Sequence, residues 1–136
     1  MQNGCDEIKD SVIIQEAVEA AMMGFLHQWA KRDFRNMLEF IQITWKDKRH
    51  DAKEYLEQYI GNYRCSDYQV VCVDFINDAG VLAVITFSAV LYDSQLRIKQ
   101  RKQLTARVIC ESAPYEPDTA GTWGVNPDSL IKSLYN

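Results

Sequence analysis

Two histidines, four cysteines, one carboxylate set among apolar neighbours and fifteen aromatic side chains (three Trp, seven Tyr, five Phe) are the chemical stock of this 136-residue chain. Acid–base catalysis needs a titratable group whose pKa an apolar setting has moved. Asp74 interrupts the run Val71-Cys72-Val73-Asp74-Phe75-Ile76, with Cys72 and Ile76 as its neighbours on one strand face. It is the one carboxylate placed to enter an apolar space, although a strand face turned to water is the simpler expectation. His27 borders an apolar helical stripe and His50 lies in the charged stretch Lys46-Asp47-Lys48-Arg49-His50, so neither is expected to act. Cys5, Cys65, Cys72 and Cys110 form no CxxC pair and have no histidine at a zinc-ligand interval. Cys72 and Cys110 sit in apolar runs and are expected to be buried thiols, with a bridge between them on neighbouring strands as the alternative. No GxSxG, P-loop, dinucleotide fingerprint or HExxH occurs, and no metal or cofactor is expected. Helically spaced aromatics are core by default, leaving a minority to line a pocket.

The bulk numbers narrow the class. Fifteen Lys and Arg against nineteen Asp and Glu give a net charge of −4, which speaks against a nucleic-acid binder. The basic run Arg97-Ile98-Lys99-Gln100-Arg101-Lys102 would be split between two faces by strand alternation, and reads as a charged strand end that discourages edge pairing. No apolar stretch approaches the roughly 20 residues that cross a bilayer, and residues 1–10 are polar and acidic, unlike a secretory signal. A single cytoplasmic domain over residues 1–136 is expected, with 1–10 as a flexible start.

The hydrophobic period switches near residue 64 from helical to alternating. A first helix is predicted from Ser11 to Lys31, capped by Asp10 or Ser11, with Ile14, Ala17, Val18, Ala21, Met22, Phe25, Leu26 and Trp29 on one face. Asp33 opens a second helix burying Phe34, Met37, Leu38, Ile41 and Trp45. Asp51 opens a third through Tyr55 and Tyr59, with Gly61 as a left-handed stop. Strands are predicted over 68–76, 81–92, 96–110 and 122–125, with turns at 77–80 and 93–95 and a final helical turn capped by Asp128 or Ser129. Helices followed by an antiparallel meander make an α+β fold. The second strand is apolar on both alternating sets, Val81 to Leu91 on one and Leu82, Val84 and Val90 on the other. A water-facing set should be polar, so a second copy is expected to cover it as a homodimer through the outer sheet face.

This order of elements resembles the nuclear transport factor two-like superfamily, the cone-shaped fold also called cystatin-like. The likeness covers residues 11 to 130 and includes the helix ending Phe25-Leu26-His27-Gln28-Trp29-Ala30-Lys31-Arg32-Asp33-Phe34. It implies three helices on a strongly curved antiparallel sheet with a pocket at the wide end, for which Trp29, Tyr55, Tyr59, Asp74, Phe87 and Trp123 are the candidate lining residues. Isomerase-like members pair an Asp base with Tyr and Asp donors, and dehydratase-like members pair His with Asp. Neither set falls on matching positions here, so no catalytic residue is assigned. The expected function is a non-catalytic binding or interaction module, taking a protein partner or a small apolar ligand. An accessory or scaffold role in bacterial transfer systems is one context that the resemblance implies. The alternative is an isomerase- or dehydratase-like enzyme using the cone pocket near Asp74, Tyr55 and Trp123.

Overall fold

Val18, Met22, Phe25, Leu26 and Trp29 recur at three- and four-residue steps, so an α-helix through them carries one continuous apolar stripe. The computed structural model describes residues 3–136, with side chains from residue 12 onward, and this stripe is fully buried on helix α1 (Asn3–Lys31). The helix continues back through Asp10 and Ser11, so neither caps it; nothing in Cys5–Lys9 forbids helical backbone. Of the expected flexible start, Met1 and Gln2 lie outside the described residues. At the other end Arg32 takes a left-handed φ of 59°, and Asp33 N–H reaches back to the Gln28 carbonyl at 2.9 Å. An αL arginine is strained. Its guanidinium offsets that by donating to the carbonyls of Gly61 at 2.8 Å and Tyr63 at 3.3 Å, which lock the helix end to the start of the sheet.

Asp33 caps α2 (Phe34–Met37) as expected, its carboxylate accepting from Asn36 N–H at 3.1 Å. The predicted second helix does not continue. It passes through a 3-10 turn (Leu38–Phe40), straightens at Ile41 and restarts as α3 (Ile43–Asp47). The cause is long-range: Gln42 N–H donates to the Val125 carbonyl at 2.9 Å, drawing Ile41 and Gln42 alongside the last strand. Helix α4 (Ala52–Tyr59) follows. Asp51 occupies its cap position without a side-chain bond, and Ile60 rather than a left-handed Gly61 ends it.

Strands β1 (Tyr63–Phe75), β2 (Leu82–Asp93) and β3 (Ile98–Ala113) form an antiparallel meander. The free edge of β3 then receives β4 (Glu116–Pro117) and β5 (Thr122–Asn126). The sheet curls around α1, and its inner face, Ala83, Ile85, Phe87, Ala89 and Leu91 on β2 with Leu104, Ala106 and Val108 on β3, joins the helix stripe in one core. In β1 a bulge between Val70 and Cys72 resets the alternation: Val70 and Val73 point inward opposite Phe87 and Ile85, and Cys72 points outward opposite Thr86. Cys72 is therefore exposed and Cys110 buried, both free thiols on opposite faces, which removes the expected burial of Cys72 and any bridge between the two.

Beyond Asn126, β5 leaves the β3 edge and the chain turns into α5 (Pro127–Leu134). Asn126, not Asp128 or Ser129, caps it by accepting from Ser129 N–H at 3.0 Å, and Pro127 takes the first helical position. The i, i+4 pair Ser129 and Ser133 then accepts the β3 amides of Arg107 at 2.8 Å and Thr105 at 3.1 Å. A helix thus closes an edge that a strand would otherwise leave open.

Candidate functional site

The six candidate pocket residues do not converge. Trp29 and Phe87 lie on α1 and β2 inside the curl of the sheet with no exposed surface. Phe25 stands edge-on to Trp29 with ring centroids 6.5 Å apart, and the Trp29 indole N–H is spent on the Tyr63 carbonyl at 2.9 Å. Around Trp29 and Phe87 the inside of the curl is packed with the protein's own side chains. Among the described residues the buried polar side chains are Thr44, Ser88 and Glu111, and His27 is exposed, its Nδ1 3.3 Å from the Tyr68 hydroxyl.

Asp74 lies on the outer face of β1 in water, opposite Val84, with Arg107 next in the same row across the sheet. Its neighbour Cys72 is the same-face residue that alternation anticipated, but the face is the outer one. Trp123 is half-buried on β5 at the inner face, edge-on to Phe75 at 6.2 Å.

Tyr55 and Tyr59 do meet, with centroids 4.5 Å apart on α4, and Trp45 of α3 stands 5.6 Å from Tyr55. Arg49, in the connection between those helices, lies with its guanidinium carbon 4.0 Å from the Tyr55 ring and 4.9 Å from that of Trp45. Asp128 of α5 approaches Arg49 at 3.6 Å and accepts the Tyr55 hydroxyl at 3.2 Å. Burial first, and then Asp128, push the Tyr55 pKa up. Beside this cluster opens a notch of about 320 Å³, walled by Gln42, Thr44, Trp45, Lys48, Arg49, Asn126 and Asp128. It adjoins a wider, shallow groove of about 850 Å³ between α5 and the outer face of the sheet at Val84 and Arg107.

Sequence reasoning missed Glu111. It is 3% exposed on β3, and its carboxylate accepts both the backbone N–H of Thr44, at 3.0 Å, and the Thr44 hydroxyl. Thr44 Oγ1 in turn accepts from Tyr115 N–H at 2.7 Å. These bonds supply the charge with partners and fasten the first turn of α3 to β3, so this buried carboxylate is committed to structure rather than poised as a base. A single Glu between Cys110 and Ser112 carries no sequence signal for this, because its partner lies 67 residues away.

No group of three or more His, Cys, Asp or Glu side chains able to hold a metal occurs among the described residues, and no helix there is long and apolar enough to cross a membrane. No protein-family model matches the chain, and no curated protein matches it significantly. A solved structure does: a ketosteroid isomerase-like protein from Erwinia carotovora atroseptica SCRI1043 superposes with a TM-score of 0.53 at 10% identity, over 82% of this chain and 89% of that one. The chain has the nuclear transport factor two-like fold. At that identity the likeness extends to the path of the backbone, and the nuclear transport factor two-like fold hosts catalysts and binders alike.

Proposed function

We propose that this chain is a non-catalytic binding module, a single cytoplasmic domain that pairs with a second copy through the outer face of its sheet and serves as an accessory or scaffold component. The packed core inside the curl carries this reading: Trp29, Phe25 and Phe87 have no exposed surface, and among the described residues no Asp, Glu or His joins them in that core. An isomerase or dehydratase working there would need an open apolar cavity with a shifted acid or base. Cys65, Cys72 and Cys110, free thiols among the described residues, fit a reducing compartment.

Leu82, Val84, Val90 and Ile109 are half-buried on the outer face, with Asp74 and Arg107 exposed to either side of Val84. A two-fold axis near Val84 would set each Asp74 against Arg107 of the second copy, the self-complementary arrangement an isologous dimer needs. Sedimentation at tens of micromolar, roughly ten- to hundredfold above a micromolar dissociation constant, is expected to give a dimer, and Val84→Lys to give monomer or insoluble protein. A monomeric wild type would overturn the pairing. Incubation with a ketosteroid is expected to give no turnover, and turnover would restore the enzyme reading.

A further inference from the structure

We infer that the notch between α3, the 48–51 connection and the start of α5 binds a small monocarboxylate, held by Arg49 and Lys48 beside the Trp45 ring. The inference goes beyond the pairing function and does not depend on it. Arg49 is pre-organised: two aromatic faces fix its guanidinium, which makes no side-chain hydrogen bond among the described residues and is ion-paired with Asp128 at 3.6 Å. A stacked guanidinium with free N–H groups is a ready fork for a carboxylate. Lys48, also on the wall, has its ammonium 5.5 Å from the Tyr115 ring and no carboxylate within ion-pair reach among the described residues. Trp45, 4% exposed, walls the same notch with its ring, while its unpartnered indole Nε1 is shut off from solvent, so the ring supplies a contact face there rather than a donor.

Charge selects the ligand. Arg49 and Lys48 bring two positive charges and Asp128 one negative, so a monoanion neutralises the set, whereas a phosphate dianion leaves it negative and faces Asp128. The other wall groups, the Gln42 and Asn126 amides, already bond each other at 2.8 Å, and Thr44 is committed to Glu111. A volume of about 320 Å³ is at the small end of ligand pockets, enough for a single-ring acid.

Calorimetric titration with benzoate, benzamide and inorganic phosphate at matched ionic strength tests this, with the amide spectrum following the Trp45 indole N–H, assigned by its loss in Trp45→Phe. Benzoate is expected to saturate with a dissociation constant of roughly 1 mM or below and to shift the Trp45 indole signal. Benzamide and phosphate should bind about tenfold or more weakly, and Arg49→Gln should weaken benzoate by about tenfold or more. Lys48→Gln, at an exposed position, should weaken it severalfold and serves as the test if Arg49→Gln does not fold. No saturation by benzoate, equal binding of benzamide, tighter binding of phosphate, or indifference to the folded Arg49 or Lys48 variant would overturn the site.

Discussion

Phe25 has no surface in water and packs edge-on against Trp29, so truncating it deletes a full aromatic side chain from the centre of the core. Phe25→Ala is expected to cost about 3–5 kcal/mol, read as a lower urea midpoint with an unchanged slope; an unmoved midpoint would mean that this helix face is not the core face. Cys65 makes a different prediction from the same core. Burial pushes its thiol up to about 12 from an ordinary 9.0, so the folded state holds its proton at pH values where the unfolded chain releases it. Stability from this group is complete below pH 9 and is lost as pH rises toward 12. Cys65→Val should flatten part of the fall in melting temperature over that window, and an identical alkaline profile would refute it. Phe25 was legible in the sequence because helical spacing repeats locally. Glu111 was not, because its environment is supplied by Thr44 from another part of the chain.

Elements whose pattern is internal were legible, and elements shaped by a distant neighbour were not. The stripe from Val18 to Trp29 and the strands β2 and β3 follow their own periods closely. The run from Phe34 to Trp45 also has helical spacing, yet it breaks at Ile41 because backbone pairing with Val125 competes successfully for Gln42 N–H. Lys46 supports the break by donating from Nζ to the Leu38 carbonyl at 2.9 Å. That pairing depends on Gly124: a Cβ there would lie 2.6 Å from Gln42 N and 2.7 Å from Ile41 C. These are backbone atoms that cannot rotate away, so Gly124→Ala should cost about 1–3 kcal/mol as overpacking and raise amide exchange at Gln42. An unaltered exchange rate at Gln42 would show that the close approach does not hold the break. Asp74 failed as a pocket candidate for a similar reason. Alternation assigned it the correct companion, Cys72, but the bulge after Val70 decides which face the pair occupies, and a bulge leaves no mark in a run of apolar residues.

For the whole molecule, the curl of the sheet divides labour between its faces. Ala83 to Leu91 of the inner face are packed on α1 and the core, and the recognition proposed above lies on the outer face and at the rim beside α3 and α5. The outer face carries opposite charges on either side of Val84, Asp74 on β1 and Arg107 on β3. In a two-fold dimer each charge occurs twice and meets its opposite across the axis, so reversing one sign creates two like-charge contacts while reversing both restores the pattern. Like-charge contacts across an interface cost more than rim pairs gain. Asp74→Lys and Arg107→Glu are therefore each expected to shift the protein toward monomer in sedimentation, and the double variant to return it to dimer. The defect of the single variants should shrink at high salt, because exposed charges beyond roughly 3 Å are screened near 1 M ionic strength. Melting curves should stay close to one another for all folded variants at a concentration where each is monomeric, since both side chains are exposed on the isolated chain. Single variants that remain dimeric, or a double variant that remains a folded monomer, would show that the two copies do not meet through this row.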